Sequence, residues 1–92
     1  DKIAGGLIGV TYWNWFHIEL LWLPEELRGR GYGHRLLVLA EDEARRRGAT
    51  QAHLDTFSFQ APAFYQRHGY QVFGELQDFP PGHRRYYMAK QL

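Results

Sequence analysis

The sequence contains no cysteine, which excludes both a disulfide framework and a thiolate metal site. It also lacks an apolar run long enough to cross a membrane, since polar side chains interrupt the best candidate, Ile3 to Leu23. The net charge is only +1, from 11 basic and 10 acidic residues, so charge alone predicts neither a nucleic-acid nor a membrane partner. No signal peptide is visible, and we expect a cytoplasmic protein.

What is present suits one small folded domain over residues 1–92, with 45% apolar and 16% aromatic residues. Hydrophobic periodicity and turn residues predict the order β-β-α-β-α-β-β, an α/β chain with a mixed sheet and helices packed on it. The predicted strands are Ile3–Trp13, Trp15–Leu23, Gln51–Phe57, Tyr70–Glu75 and Arg84–Gln91, and the predicted helices are Gly33–Arg47 and Gln60–His68.

The longer helix has an apolar stripe at helical spacing and ends at Gly48. The stripe consists of Leu36, Leu37, Ala40 and Ala44. Acidic residues precede basic ones by four positions, which predicts the ion pairs Glu41–Arg45, Asp42–Arg46 and Glu43–Arg47. These partners indicate a solvated helix face rather than a nucleic-acid surface.

The segment Arg28 to Gly33, R-G-R-G-Y-G, lies between a strand and this helix. Amides at a helix N-terminus bind anions, and the flanking arginines add positive charge, so the segment predicts a phosphate site. Glycines at 29, 31 and 33 do not fit the dinucleotide spacing, and Gly33-His34 lacks the ending of a nucleoside-triphosphate loop. The segment instead fits R/Q-x-x-G-x-G/A.

A second motif follows downstream, since Ala61 to Tyr70 reads A-P-A-F-Y-Q-R-H-G-Y. Together the two segments resemble the GNAT superfamily of N-acetyltransferases, whose pyrophosphate loop is followed by A-x-x-F-Y-x-x-x-G-F/Y. The resemblance covers nearly the whole chain and implies a GNAT-like acyltransferase fold with acetyl-CoA as the acyl donor. The family's first strand and first helices have no counterpart before Asp1, so we expect that an N-terminal portion is missing or that a partner chain, as in a homodimer, covers the gap.

The resemblance also implies roles for individual residues. Backbone amides of the glycine loop would hold the coenzyme A pyrophosphate, and the end of the second strand would pair with the pantetheine arm. The Leu23 N–H would polarise the acetyl carbonyl, and Tyr65 would protonate the departing thiolate. The implied coenzyme contacts are Leu21, Leu23, Arg28, Gly29, Arg30, Gly31, Tyr32, Gly33, His34, Ser58 and Tyr65. Ser58 stands where the family often has Asn, which leaves its contact open.

The chemistry also needs a base, because only a neutral amine attacks a thioester. Glu19 is the first candidate, since simple strand alternation places it on one face with Leu21 and Leu23. His17, Asp55 and Asp78 are the reserves. The histidines have no metal-ligand spacing, so we expect no metal. Trp13, Trp15 and Trp22 either line an acceptor pocket or fill the core.

Three functions remain open from the sequence. The first is direct transfer of acetyl from acetyl-CoA to a primary amine in a ternary complex, since no cysteine can carry the acyl group. The acceptor would be a small amine or a peptide amine. The second is a non-catalytic acyl-CoA-binding module. The third, and the least supported, is a nucleic-acid or protein interaction domain that uses Arg45, Arg46 and Arg47.

Overall fold

A computed structural model describes residues 2–3, 7–21 and 31–92. The elements are β1 (Lys2–Ile3), β2 (Leu7–Tyr12), β3 (Trp15–Leu21), α1 (Tyr32–Arg46), β4 (Gln51–Phe57), α2 (Pro62–Arg67), β5 (Gln71–Gln77) and β6 (Arg84–Gln91). This is the predicted order with one strand more. The prediction of a single strand over Ile3–Trp13 is wrong, because β1 pairs antiparallel with β2 and the two therefore run in opposite directions.

Two compact units can be distinguished, Asp1–Ala52 with Leu92 and His53–Gln91. In the first unit the strand order is β1-β2-β3, and β2 and β3 form a hairpin. Trp13 and Asn14 connect them with φ of 49° and 69°. Positive φ at both central residues is what a two-residue type I′ turn requires, and it is uncommon for a bulky side chain such as tryptophan. The Thr50 amide donates to the Asn14 carbonyl at 2.8 Å and ties the turn to the start of β4.

Helix α1 packs against β2 and β3 through one face. Its buried residues are Leu37, Ala40, Glu41 and Ala44, at the i, i+3, i+4, i+7 spacing of an amphipathic helix. Full burial of Leu37 contributes on the order of 2 kcal/mol to folding. The predicted stripe therefore holds, except that Leu36 is half-buried and Glu41 is buried in its place. Gly48, with φ of 91°, ends the helix as predicted.

The ion pairs on the outer face of α1 differ in part from the prediction. They are Arg45–Asp42 at 2.7 Å, Arg46–Glu43, and Arg47–Glu43 at 2.8 Å. Only the predicted Glu43–Arg47 pair is found among them. The prediction of Glu41–Arg45 is wrong because Glu41, only 3% exposed, faces inward, and Arg45 contacts Asp42 instead.

In the second unit the strand order is β4-β6-β5. Strand β4 alternates between half-buried and buried residues, and Leu54, Tyr70 and Met88 are core side chains of this unit. Strand β5 starts one residue later than predicted, since the Tyr70 amide donates to the Tyr65 carbonyl of α2 at 3.1 Å, and it extends to Gln77. The described helices, α1 with 15 residues and α2 with 6, are too short to cross a bilayer.

Candidate active site

The N-terminus of α1 carries the described part of the predicted phosphate site. Gly31 precedes the helix with φ of 79°, and its carbonyl accepts the first helical hydrogen bond from the Arg35 amide at 3.0 Å. This left-handed conformation is one that glycine adopts without steric cost. Gly31 is thus the residue before α1, and Tyr32, Gly33 and His34 form the first turn of the helix.

The start of α1 has no side-chain cap within the described part of the chain, and its first turn contains no acidic residue. A helix N-terminus with uncapped amides carries partial positive charge. The site residues Leu23, Arg28, Gly29 and Arg30 lie outside the described residues, as does Trp22. Their predicted roles stay predictions.

A β-bulge determines where Glu19 lies on β3. The register pairs Ile8 with Leu20 but Gly9 with Ile18, so Glu19 is an extra residue with no partner position on β2. Beyond the bulge the alternation of faces is reversed. Cross-strand partners share a face, and Leu21 pairs with Leu7, which is fully buried. Leu21 therefore lies on the face of Leu7, and the predicted face shared by Glu19 and Leu21 stays a prediction.

The bulge still leaves Glu19 exposed, and it re-aims the side chain relative to a regular strand. His17 precedes the bulge, is half-buried and pairs with Val10 across the hairpin. Both residues belong to the first unit. Of the tryptophans, Trp13 is 81% exposed in the turn and Trp15 is half-buried, so neither fills the core.

In the second unit, Tyr65 lies on α2 and is buried, with 8% of its surface exposed. Helix α2 begins at Pro62, where the missing amide of proline costs nothing, and ends before Gly69, with φ of 93°. The Tyr65 ring makes edge contacts with Phe64 and Tyr70 at centroid distances of 5.2 and 5.8 Å. Burial raises the pKa of the phenol to about 12, above the value of 10 that the sequence alone suggests.

Ser58 follows β4 and is bonded to the start of β6. Its hydroxyl accepts a hydrogen bond from the Arg84 amide at 3.1 Å, and its own amide donates to the Arg84 carbonyl at 2.8 Å. The hydroxyl also lies 3.4 Å from His83 Nδ1. Ser58 thus has a local structural role, and its predicted contact with the coenzyme stays a prediction.

The two reserve carboxylates in this unit already have partners. Asp55 accepts a hydrogen bond from Arg85 Nε at 2.9 Å. Each side chain of this ion pair is 28% exposed. Asp78 has φ of 56°, and its carboxylate accepts a hydrogen bond from the Gly82 amide at 3.0 Å. The Asp55–Arg85 pair weakens the case for Asp55 as the base, because protonation would break it.

Sequence reasoning missed a cluster of aromatic rings around Arg85. Phe57, at the end of β4, stacks with Phe59 and with Phe79, and Arg85 lies over two of these rings. The F-S-F spacing at 57–59 was the local signal, but Phe79 and Arg85 come from distant parts of the sequence. In residues 2–3, 7–21 and 31–92 no group of three or more His, Asp or Glu side chains is placed to hold a metal ion.

The acetyltransferase (GNAT) family profile matches residues 1–70. The chain belongs to this family. The blasticidin-S acetyltransferase of Streptomyces morookaense is 42% identical over 92 residues, which are 99% of this chain and 68% of that protein. A crystal structure of an acetyltransferase from Bacillus cereus has a TM-score of 0.92 at 44% identity, and the match covers 99% of this chain and 65% of that one.

A more distant structure is the PaiA N-acetyltransferase from Thermoplasma acidophilum in complex with coenzyme A. Its TM-score is 0.81 at 20% identity, over 95% of this chain and 53% of that one, and it supports the fold alone. These comparisons confirm the predicted α/β GNAT-like fold. The chain spans about two-thirds of the length of its more similar relatives, 68% of the Streptomyces protein and 65% of the Bacillus one.

Proposed function

We propose that this chain carries the donor site and the leaving-group acid of an acetyl-CoA-dependent N-acetyltransferase with a primary amine as acceptor. The observation that carries the proposal is the first turn of α1, where Gly31 is left-handed and no described side chain caps the amides. This turn belongs to the R-x-x-G-x-G segment within the region that matches the family profile. Acetyl-CoA supplies the acyl group and a pyrophosphate that suits such a turn.

In the proposed reaction the amine nitrogen attacks the thioester carbon, a C–N bond forms and the C–S bond breaks. The nitrogen loses one proton and the departing sulfur gains one, so the products are an amide and free coenzyme A. The transfer is direct, since the sequence has no cysteine to carry the acyl group. Leu23 would donate its amide to the acetyl oxygen, where negative charge develops.

Tyr65 would donate its phenolic proton toward the departing sulfur. Its pKa of about 12 keeps the phenol protonated at every pH at which the protein would work, so it acts as a donor and not as a base. An ordinary thiol has a pKa of about 8.5, well below that of this phenol. Tyr65 would therefore give up its proton only as the sulfur leaves, and the proton lost by the amine nitrogen would restore the phenol, so that one proton passes overall from nitrogen to sulfur.

Glu19 remains the first candidate for the base, supported by its exposure at the bulge. A bulge is a frequent device for aiming a side chain near an active site. For the acceptor, the blasticidin-S acetyltransferase at 42% identity favours a small-molecule amine over a peptide. A homodimer stays a prediction.

Calorimetric titration with acetyl-CoA tests the donor site, with Gly33→Glu as the variant and Leu39→Glu as its control. Both add one negative charge to α1, but only Gly33 lies in the first turn, while Leu39 is 60% exposed further along. We expect Gly33→Glu to weaken binding by about tenfold or more through repulsion of the pyrophosphate, and Leu39→Glu to change it by less than about twofold. No binding at millimolar acetyl-CoA, or equal effects of the two variants, would refute the donor site.

Tyr65→Phe separates an enzyme from a non-catalytic acyl-CoA-binding module. If Tyr65 is the leaving-group acid, kcat falls by about a hundredfold while the dissociation constant of acetyl-CoA is unchanged. Unchanged turnover would remove Tyr65 from the mechanism. Binding of acetyl-CoA without turnover of any amine would favour the module instead.

A further inference from the structure

Three phenylalanine rings in the second unit form a parallel stack, which we call the phenylalanine stack (Phe57, Phe59 and Phe79). The planes of Phe57 and Phe59 differ by 8° with centroids 5.3 Å apart, and those of Phe57 and Phe79 by 3° at 6.4 Å. Phe57 is half-buried, but Phe59 is 57% exposed and Phe79 is 45% exposed. Two rings of the stack are thus partly exposed to solvent, and the Phe59 ring also makes an edge contact with His83 at a centroid distance of 4.9 Å.

Hydrogen bonds fix the backbone segments that carry these rings. The Phe57 amide donates to Gln60 Oε1 at 2.9 Å, and the Gln60 amide donates to the Phe57 carbonyl at 2.9 Å, which closes a turn around Phe59. In the loop before β6, the Phe79 amide donates to the His83 carbonyl at 3.1 Å. A ring surface held by its backbone loses little conformational freedom when a ligand stacks on it.

Arg85 contacts two rings of the stack and Tyr87. Its guanidinium carbon lies 5.6 Å from the Phe57 centroid, 5.4 Å from that of Phe79 and 5.3 Å from that of Tyr87. Such distances are those of cation–π contacts. The Arg85 charge is compensated by Asp55, 2.9 Å from its Nε. The cluster is therefore aromatic, and the Arg85–Asp55 ion pair within it has a net charge close to zero.

A carboxylate stands next to the stack. Asp78 directly precedes Phe79 in the chain, is exposed, and accepts a hydrogen bond from the Gly82 amide at 3.0 Å. The neighbouring cation Arg84 lies 3.7 Å from Glu75. Within the described part of the second unit, Arg84 is thus paired with Glu75 and Arg85 with Asp55, so neither arginine is paired with Asp78. The Asp78 carboxylate accepts only from a neutral amide in these contacts, so its negative charge suits a cationic ligand.

Resting on the proposed function, we propose that the phenylalanine stack is the acceptor subsite and that the acceptor is an amine with a planar aromatic or heteroaromatic ring. The ring stacks on Phe59 or Phe79, and the ammonium end interacts with the Asp78 carboxylate before it loses its proton. Ser58 lies beside Phe57 in the chain, so a residue predicted to contact the coenzyme adjoins this subsite.

The test compares 2-phenylethylamine with 2-cyclohexylethylamine, two amines of similar size and charge at neutral pH, of which only the first has a flat ring. Binding is measured by ligand-observed NMR without any acyl donor, so the result does not depend on turnover. We expect the phenyl compound to bind about fivefold more tightly, because stacking on an exposed ring requires planarity. Equal affinity of the two amines would overturn the proposal.

Variants of the ring residues test whether the phenylalanine stack causes the preference for the phenyl compound. Phe59→Leu combined with Phe79→Leu keeps apolar surface but removes the flat faces, so the preference should fall below about twofold. Phe73→Leu is the matched control, since Phe73 is a 68% exposed ring on β5 outside the stack, and it should keep the preference. Loss of the preference in Phe73→Leu alone would refute the assignment to the stack.

Asp78→Asn tests the charged end. It should weaken both amines by about threefold and leave their ratio unchanged, because the carboxylate contacts the ammonium and not the ring. Calorimetry with acetyl-CoA, measured in parallel, separates the two proposals. Acetyl-CoA binding without a ring preference overturns only the subsite, whereas a ring preference without acetyl-CoA binding overturns its role as an acceptor site.

Discussion

Replacement of Tyr65 by Phe should change how the stability of the protein depends on pH. The folded phenol has a pKa of about 12 because it is buried, whereas an unfolded tyrosine has a pKa of about 10. Between these values the unfolded chain loses the proton and the folded chain keeps it. The unfolded state therefore binds fewer protons, and the free energy of unfolding falls as pH rises through this window.

The size of the effect follows from the two pKa values. Two pKa units correspond to about 3 kcal/mol at full effect, and about half of this is already lost at pH 11. Below about pH 9 the contribution is constant. The Tyr65→Phe variant has no ionisable group at this position. Its free energy of unfolding should therefore not show the fall above pH 9 that Tyr65 causes.

Urea unfolding of both proteins at pH 8 and pH 11 measures the difference. Other ionisable groups are common to the two chains and cancel, so the gap between their free energies of unfolding should move by about 1 kcal/mol toward the variant. Spectrophotometric titration gives a second readout, because the late ionisation of Tyr65 should be absent from the variant. A gap that does not change with pH would show that Tyr65 is solvated and would refute the argument.

Two further predictions concern the hairpin. A Cβ at Gly9 would lie 2.7 Å from Phe16 Cζ, so Gly9→Ala should lower the free energy of unfolding in urea by about 1–3 kcal/mol. Gly74 has open space around it, so Gly74→Ala is the control and should be tolerated. Asn14→Ala should cost about 1 kcal/mol in thermal or urea unfolding because φ is 69°, while Asn14→Gly should stay within about 0.5 kcal/mol of the native chain. Equal stabilities of the two Asn14 variants would contradict the strain argument.

Local patterns predicted most of the elements. The bounds of β4 and β6 agree with the prediction, and α1 is displaced by one residue at each end. Periodicity and the glycines that follow helices are properties of neighbouring residues, so they are visible in one sequence. The face of Leu21 was not visible, because the bulge at Glu19 exists only in the pairing of β3 with β2.

By itself the sequence determined the glycine segment at the start of α1, the order of the helices and of every strand except β1, and the resemblance to the GNAT family. Each depends on residues close together in the chain. Only the tertiary structure decided the raised pKa of Tyr65, which burial causes, and the aromatic cluster of Phe57 and Phe79 with Arg85. Burial and long-range contacts arise when distant segments pack, and spacing along the chain does not encode them locally.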